Sequence, residues 1–124
     1  VYCPRTHDFF NSSPHPLPQM LSAGWKVALG TDGLSSNPDL DVLGEARFVR
    51  AKFPQVSSEQ ILGMITINGA GLLRMDRKNG SLMRGKYANL CYFPIDLNAP
   101  VDPLENLLLG NQSCSRVMIH GKWI

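Results

Sequence analysis

A chain of 124 residues has the length of one domain, and its 44% hydrophobic content is enough for a core and excludes global disorder. The formal net charge is only +2, with Lys and Arg scattered and no basic run, so a nucleic-acid partner is not expected. No apolar stretch approaches the ~18 residues of a membrane span, so no membrane partner is expected either.

In chain order, Val1–Cys3 reads as the end of a strand. The chain opens on Val1-Tyr2-Cys3-Pro4 without an initiator Met or a signal peptide, which reads as a fragment or a processed chain. The stretch from Pro4 to Pro18 reads as loop, with its prolines and the Asn11-Ser12-Ser13 turn cluster. Leu17 to Ala23 is a short predicted helix that Gly24 stops. Lys26–Gly30 is a short apolar strand, of the kind buried on both faces.

Asn37-Pro38 is a turn signal leading into a helix capped near its start by Asp39. Leu40, Leu43, Ala46, Arg47 and Arg50 follow helical spacing, and Val42, Val49 and Phe53 widen the apolar face. Phe53-Pro54 ends that helix. Ser57 and Gln60 fit a capping box for the next one, which Asn68-Gly69-Ala70-Gly71 interrupts before a further turn at Leu72–Met75. Beyond Met75 the texture changes to turns at Gly80-Ser81-Leu82 and Gly85-Lys86-Tyr87, then a strand over Asn89–Pro94. Asp102 to Leu109 is a short predicted helix, and Arg116–Ile119, His120-Gly121 and Lys122–Ile124 read as a hairpin.

The stretch with the clearest chemical signal is Val27-Ala28-Leu29-Gly30-Thr31-Asp32, followed by Gly33-Leu34-Ser35-Ser36-Asn37. An apolar run delivers one carboxylate, Asp32, into a loop of Gly, Ser and Asn, which is how many α/β enzymes present a catalytic group. Ser35, Ser36 and Asn37 supply groups that either bond a substrate or cap the next helix. The stretch is not a phosphate loop, since the Gly-Lys-Ser/Thr ending is missing, and the acids have no calcium-loop spacing. No Ser-His-acid nucleophile signature occurs. His7 and His15 flank the Pro-rich loop, and His120 reads as a turn residue. Cys3, Cys91 and Cys114 form no CxxC pair, which disfavours a thiolate zinc site. Three thiols without a disulfide framework fit a reducing, cytoplasmic setting, with each read as a small buried hydrophobe.

Together these pieces resemble the carboxyl-terminal third of the amidohydrolase superfamily, in its cytosine deaminase, S-adenosylhomocysteine deaminase and triazine chlorohydrolase branch. The residues that carry the resemblance are Val1–Pro4, Ala23–Asp32, Asn37 with Asp39-Leu40, and Thr66–Ala70. Gly80–Leu82, Gly85–Leu90 and Val117–Lys122 complete it in the correct order. The resemblance implies an α/β chain: the last βα units of a (β/α)8 barrel over residues 1–79, followed by a small β-module, part of the flanking β-sandwich, over residues 80–124. Val1–Cys3 would be the seventh barrel strand and Val27–Gly30 the eighth. Asp32 would then lie at the carboxyl end of that strand, the face where such barrels carry their active sites.

In the family the acid matching Asp32 binds or closely approaches the metal and handles protons. A divalent ion lowers the pKa of its bound water toward about 7, and a neighbouring carboxylate can take the proton and pass it to the leaving group. The implied reaction is hydrolysis at an sp² carbon bearing an amino group or a halide on a heteroaromatic or purine-like small molecule, with Zn²⁺ or Fe²⁺ in the complete enzyme. The family's His-x-His pair and its later His ligands precede the matched region and do not occur here. This chain is therefore expected to hold no cofactor and to be inactive in isolation, needing either a missing amino-terminal portion or a homo-oligomer. One departure bears on specificity. The family pattern Cys-Pro-x-Ser-Asn is here Cys3-Pro4-Arg5-Thr6-His7, so His7 stands where the Asn would be, in a loop that lines the pocket. His7, Ser35 and Asn37 are the candidate substrate-binding residues, and Asp32 is the candidate catalytic and metal-binding one. Two alternatives stand beside this reading. One reads the chain as a free-standing, non-catalytic remnant that acts as an interaction or assembly module through exposed strand edges. The other reads it as an oligomer that builds a new metal site from Asp32, His7 and His15.

Overall fold

The computed structural model describes residues 1–96 and 98–124. Six helices and three strands are defined among them: α1 (Pro4–Phe9), α2 (Leu17–Ser22), α3 (Val42–Lys52), α4 (Ser58–Ile65), α5 (Ile67–Leu72), β1 (Leu90–Tyr92), α6 (Pro103–Leu109), β2 (Arg116–Ile119) and β3 (Lys122–Trp123).

The first segment and the apolar run before Asp32 meet as expected, but briefly. The Tyr2 amide donates to the Ala28 carbonyl at 2.9 Å and the Gly30 amide donates to the Tyr2 carbonyl at 3.0 Å, forming one parallel bridge, Tyr2↔Leu29. The ladder does not extend, since the chain turns into α1 at Pro4; on the opposite edge of the run, the Leu29 amide donates to the Met64 carbonyl of α4, 3.1 Å away. Parallel neighbours need a crossover, and α1 and α2 provide it. Here the structure corrects the reading of residues 4–18 as loop. Pro4 opens α1 and is buried. A proline at a first helical position loses no hydrogen bond and arrives with a helical φ, so the same residue that suggests a break also starts a helix. α2 ends as expected at Gly24, whose φ is +80°. Trp25 N–H donates to Met20 O and Gly24 N–H to Leu21 O, the paired bonds of a Schellman stop.

The cap of α3 lies two residues later than expected. The Asp41 carboxylate accepts from the Leu43 amide at 2.9 Å. Asp39 instead holds the Arg5 guanidinium, and Leu40 lies outside the helix, exposed. The capping box of α4 forms as expected, with Gln60 N–H donating to Ser57 Oγ and Ser57 N–H to Gln60 Oε1. The break that follows is at Thr66 (φ −131°, ψ −96°), not at Asn68–Gly71, which lie inside α5. The Thr66 hydroxyl donates back to the Leu62 carbonyl at 2.6 Å, the kind of side-chain bond that bends a helix. Asn68 then ties α5 to the apolar run, donating from Nδ2 to the Val27 carbonyl at 2.9 Å.

The core is where these pieces converge. Leu17, Val27, Leu43, Ala46, Val49, Ile61 and Met64 are buried in one cluster, and Leu108 of α6 joins them. α6 is capped by Asp102 and docks on α3 and α4. Arg47 donates to the Leu107 and Gln112 carbonyls, Arg50 pairs with Glu105 at 2.6 Å, and Ser58 Oγ donates to Glu105. The remaining strands form an antiparallel sheet in the order β1-β2-β3, with Cys91 opposite Val117 and Met118 opposite Trp123. His120 (φ 47°) and Gly121 (φ 79°) make the tight turn of the hairpin, where two left-handed residues match the strand twist. The expectation that all three cysteines are buried fails here. Cys3 is half-buried, while Cys91 on the edge strand β1 and Cys114 in the segment before β2 are exposed.

Candidate functional site

Asp32 follows directly from the buried Val27-Ala28-Leu29 run and adopts φ 55°. Asp tolerates this left-handed region better than most residues because its short side chain bonds locally. The carboxylate is exposed, and Oδ2 accepts from the Ser36 hydroxyl at 3.3 Å. Ser36 is itself buried and lies 3.1 Å from the Thr6 hydroxyl of α1. A file of hydroxyls thus runs from α1 through Ser36 to Asp32. Cys3 sits close by, and burial, followed by the Asp32 carboxylate, pushes its thiol pKa up.

Asn37 is also buried. Its Nδ2 donates to the Thr31 carbonyl at 2.7 Å and to Glu45 Oε1 at 2.5 Å, while its Oδ1 has no partner. Glu45, fully buried on α3, accepts from Arg5 Nε at 2.7 Å and from the Arg5 amide at 3.0 Å. The other edge of the Arg5 guanidinium grips Asp39 at 2.6 and 3.2 Å, which holds the Asp39 carboxyl below its ordinary range. Ser35, by contrast, is exposed.

The two histidines form a separate group. His15 stacks on Tyr2 with ring centroids 3.7 Å apart, and His7 meets both rings edge-on. His7 Nε2 is 2.7 Å from the Ser13 carbonyl, so that nitrogen carries the proton. Burial, then the neighbouring His7, pulls the His15 pKa down. The Tyr2 hydroxyl, buried without a partner, is pushed up to about 12, chiefly by burial and then by Asp8 and Glu45.

The structure therefore brings Asp32 and Asn37 into one loop and gathers His7 and His15 around Tyr2. Among the described residues, no cluster of three or more His, Cys, Asp or Glu side chains could hold a metal ion. Asp32 offers one carboxylate, and one ligand does not by itself make a metal site, since affinity needs several preoriented ligands. A cleft of about 420 Å³ between α3, α4 and α6 is lined by Arg50, Ser57, Glu59 and Glu105 and contains none of these residues. Arg5, Thr6 and Glu45 were not singled out as site residues by sequence reasoning alone, and Ser36 was grouped with Ser35 and Asn37 without its tie to Asp32. A Glu in the first turn of a helix reads as solvated, and nothing in the spacing separates Ser36 from Ser35.

The comparisons with known proteins agree on a family. The amidohydrolase family profile matches residues 1–124. A 5-methylthioadenosine/S-adenosylhomocysteine deaminase from Moorella thermoacetica is 36% identical over 134 residues, covering 98% of this chain and 31% of the relative. A zinc-bound adenosine deaminase from Xanthomonas campestris superposes with a TM-score of 0.84 at 29% identity, over 99% of this chain and 31% of its own. An atrazine chlorohydrolase mutant from Arthrobacter aurescens TC1, complexed with zinc and atraton, gives 0.82 at 25% identity, over 96% of this chain and 29% of its own. The chain thus spans about a third of the length of the relatives it matches. It is a mixed α/β chain whose structural neighbours are amidohydrolase barrel proteins, among them zinc-bound hydrolytic enzymes. Matched along its whole length, the chain belongs to the amidohydrolase family.

Proposed function

We propose that this chain is the carboxyl-terminal portion of a metal-dependent deaminase or chlorohydrolase acting on a heteroaromatic or purine-like small molecule. In this reading residues 1–79 are the last βα units of the barrel, residues 80–124 belong to the flanking β-sandwich, and the enzyme works in the cytoplasm. No helix among the described residues is long and apolar enough to cross a membrane. The carrying observation is the placement of Asp32, an exposed carboxylate in a left-handed turn just after the run that bridges Tyr2 in parallel.

Zn²⁺ or Fe²⁺, when bound, would supply the activation of water and the polarisation of the substrate carbon. Asp32 would hold the ion as one of its ligands, and its carboxylate is the group that takes and returns the reaction's proton, with the Ser36 hydroxyl orienting it through Oδ2. Ser35, Asn37 and His7 are the proposed substrate-binding residues: Ser35 is exposed beside Asp32, Asn37 is buried with its Nδ2 committed to Thr31 and Glu45, and His7 sits beside Tyr2 and His15. His7 is held there by its bond to Ser13 and its edge-on contact with Tyr2.

The surface supports a need for company. Trp25 is 63% exposed, Leu73 71% and Leu82 78%, large apolar side chains that ask for cover. The same observation favours a second reading, an interaction or assembly module that pairs with copies of itself. The deciding experiment is elemental analysis of the purified chain beside Asp32→Asn, alone and after co-expression with the amino-terminal two thirds of the Moorella relative. Alone, the chain should hold no stoichiometric zinc and turn over no 5′-methylthioadenosine. The co-expressed pair should take up zinc and deaminate in an Asp32-dependent way. Zinc bound by the chain alone and lost in Asp32→Asn would replace the shared-site reading with a site built by its own copies. A pair whose metal and activity ignore Asp32 would sink the assignment.

A further inference from the structure

Among the described residues, Glu45 is the charged side chain that is fully buried, and the proposed chemistry does not use it. Both its oxygens are committed. Oε1 accepts from Arg5 Nε and Asn37 Nδ2, and Oε2 accepts from the Arg5 backbone amide. Three elements therefore meet on one carboxylate: the first turn of α1, the 31–37 loop and α3. The second Asn37 Nδ2 proton reaches the Thr31 carbonyl, one residue before Asp32, at 2.7 Å. On the other side of the loop, Ser36 links Thr6 to Asp32.

A buried carboxylate persists only when paired and fully bonded. Arg5 meets the charge requirement, and its remaining nitrogens are taken by Asp39 and the Asp41 carbonyl. The bond to Asn37 is a different matter. It is charge-assisted on the acceptor side, hence stronger than a neutral one, and it reaches into a loop that has no helix or strand of its own. Asp32 in that loop keeps a φ of 55°, a conformation that costs energy unless the surroundings enforce it.

We propose that Glu45 is a positioning residue for Asp32. Its carboxylate, neutralised by Arg5, grips Asn37, and Asn37 grips the Thr31 carbonyl, so that the backbone entering Asp32 is held in the geometry that presents its carboxylate. The functional importance of that geometry rests on the reading of Asp32 given above. The clamp itself does not, and it is measurable in the chain without metal or substrate.

The test is amide hydrogen exchange and NMR on the labelled chain and three variants. The Ser36 amide, bonded to the Gly33 carbonyl at 3.1 Å, reports on the loop, and the Ile61 amide, bonded to Ser57 O at 3.0 Å, reports on the core. In Glu45→Ala the Ser36 amide should exchange at least about tenfold faster relative to Ile61, the size of one lost bond to a charged group. Glu45→Gln keeps a carbonyl acceptor for Asn37 and should recover part of that loss. Asn37→Ala leaves the Arg5–Glu45 pair intact and should reproduce the loop effect with Ile61 unchanged. It decides the matter alone if Glu45→Ala does not fold. The amide–Hα coupling of Asp32, which reports its φ, should change in the same variants. Ser36 exchange that is unchanged in Asn37→Ala, or that rises only in step with Ile61, would overturn the proposal. A clamp that passes while metal uptake ignores Asp32 would leave the clamp standing and remove its catalytic purpose.

Discussion

The 31–37 loop buries polar side chains, whereas the β1–β3 sheet exposes apolar ones. Ser36 and Asn37 are buried with their donors spent on Asp32, Thr31 and Glu45. In the sheet, Ile119 and Trp123 are substantially exposed, and Trp123 takes the Arg116 guanidinium over its ring at 4.1 Å as its cover. The loop is fixed from within the chain by directional bonds to α1 and α3. The sheet has its backbone ladder but lacks a second layer among the described residues. A loop can therefore be preorganised by polar bonds in a chain that leaves large apolar side chains exposed.

The largest expected effect breaks the loop's side of this contrast. Arg5→Ala strands the fully buried Glu45 without a counter-charge, and removing one partner of a buried pair costs about 3–5 kcal/mol. Urea denaturation should show that loss, and a change below about 1 kcal/mol would mean that water reaches Glu45.

Hydrophobic truncation sharpens the contrast from the other side. Ile61→Ala, at a fully buried site, should cost about 2–5 kcal/mol, while Trp123→Ala should cost only about 0.5–1 kcal/mol, the worth of an exposed cation–π contact. Equal losses in thermal melts would show that the sheet is as well covered as the core.

The smallest effect is a pH slope. Burial and His7 hold His15 below its ordinary pKa of 6.5. The unfolded chain therefore binds more protons just below that pH, so this contribution to stability is complete above 6.5 and declines as pH falls toward the folded-state value. His15→Phe keeps a ring against Tyr2 and removes the titration. Its denaturation midpoint should fall less than that of the parent between about pH 7.5 and about pH 5.5. An identical slope would assign the dependence to the carboxylates instead, of which Glu105 is held low by Arg50 and Ser58 and loses its contribution only in more acidic solution.

Local signals were legible wherever the chain acts on its near neighbours. The Ser57–Gln60 capping box, the Gly24 stop, the His120-Gly121 turn and the apolar run ending on Asp32 all depend on residues within a few positions of each other, and each was readable in order. Pro4 was misleading because a proline's fixed φ both starts and breaks helices, and Asp39 was misleading because Arg5, far away in sequence, claims it and leaves the cap to Asp41.

The sequence by itself determined the family, most of the helices and the carboxylate that follows the buried run, because periodicity, caps and motif order are properties of a linear string. Only the tertiary structure decided that Glu45 is buried, that Arg5 crosses forty residues to neutralise it, and that Ser36 instead of Ser35 faces Asp32. Those choices depend on which side of a helix or loop meets another element, and a buried charge becomes recognisable only when the partner that permits its burial is in place.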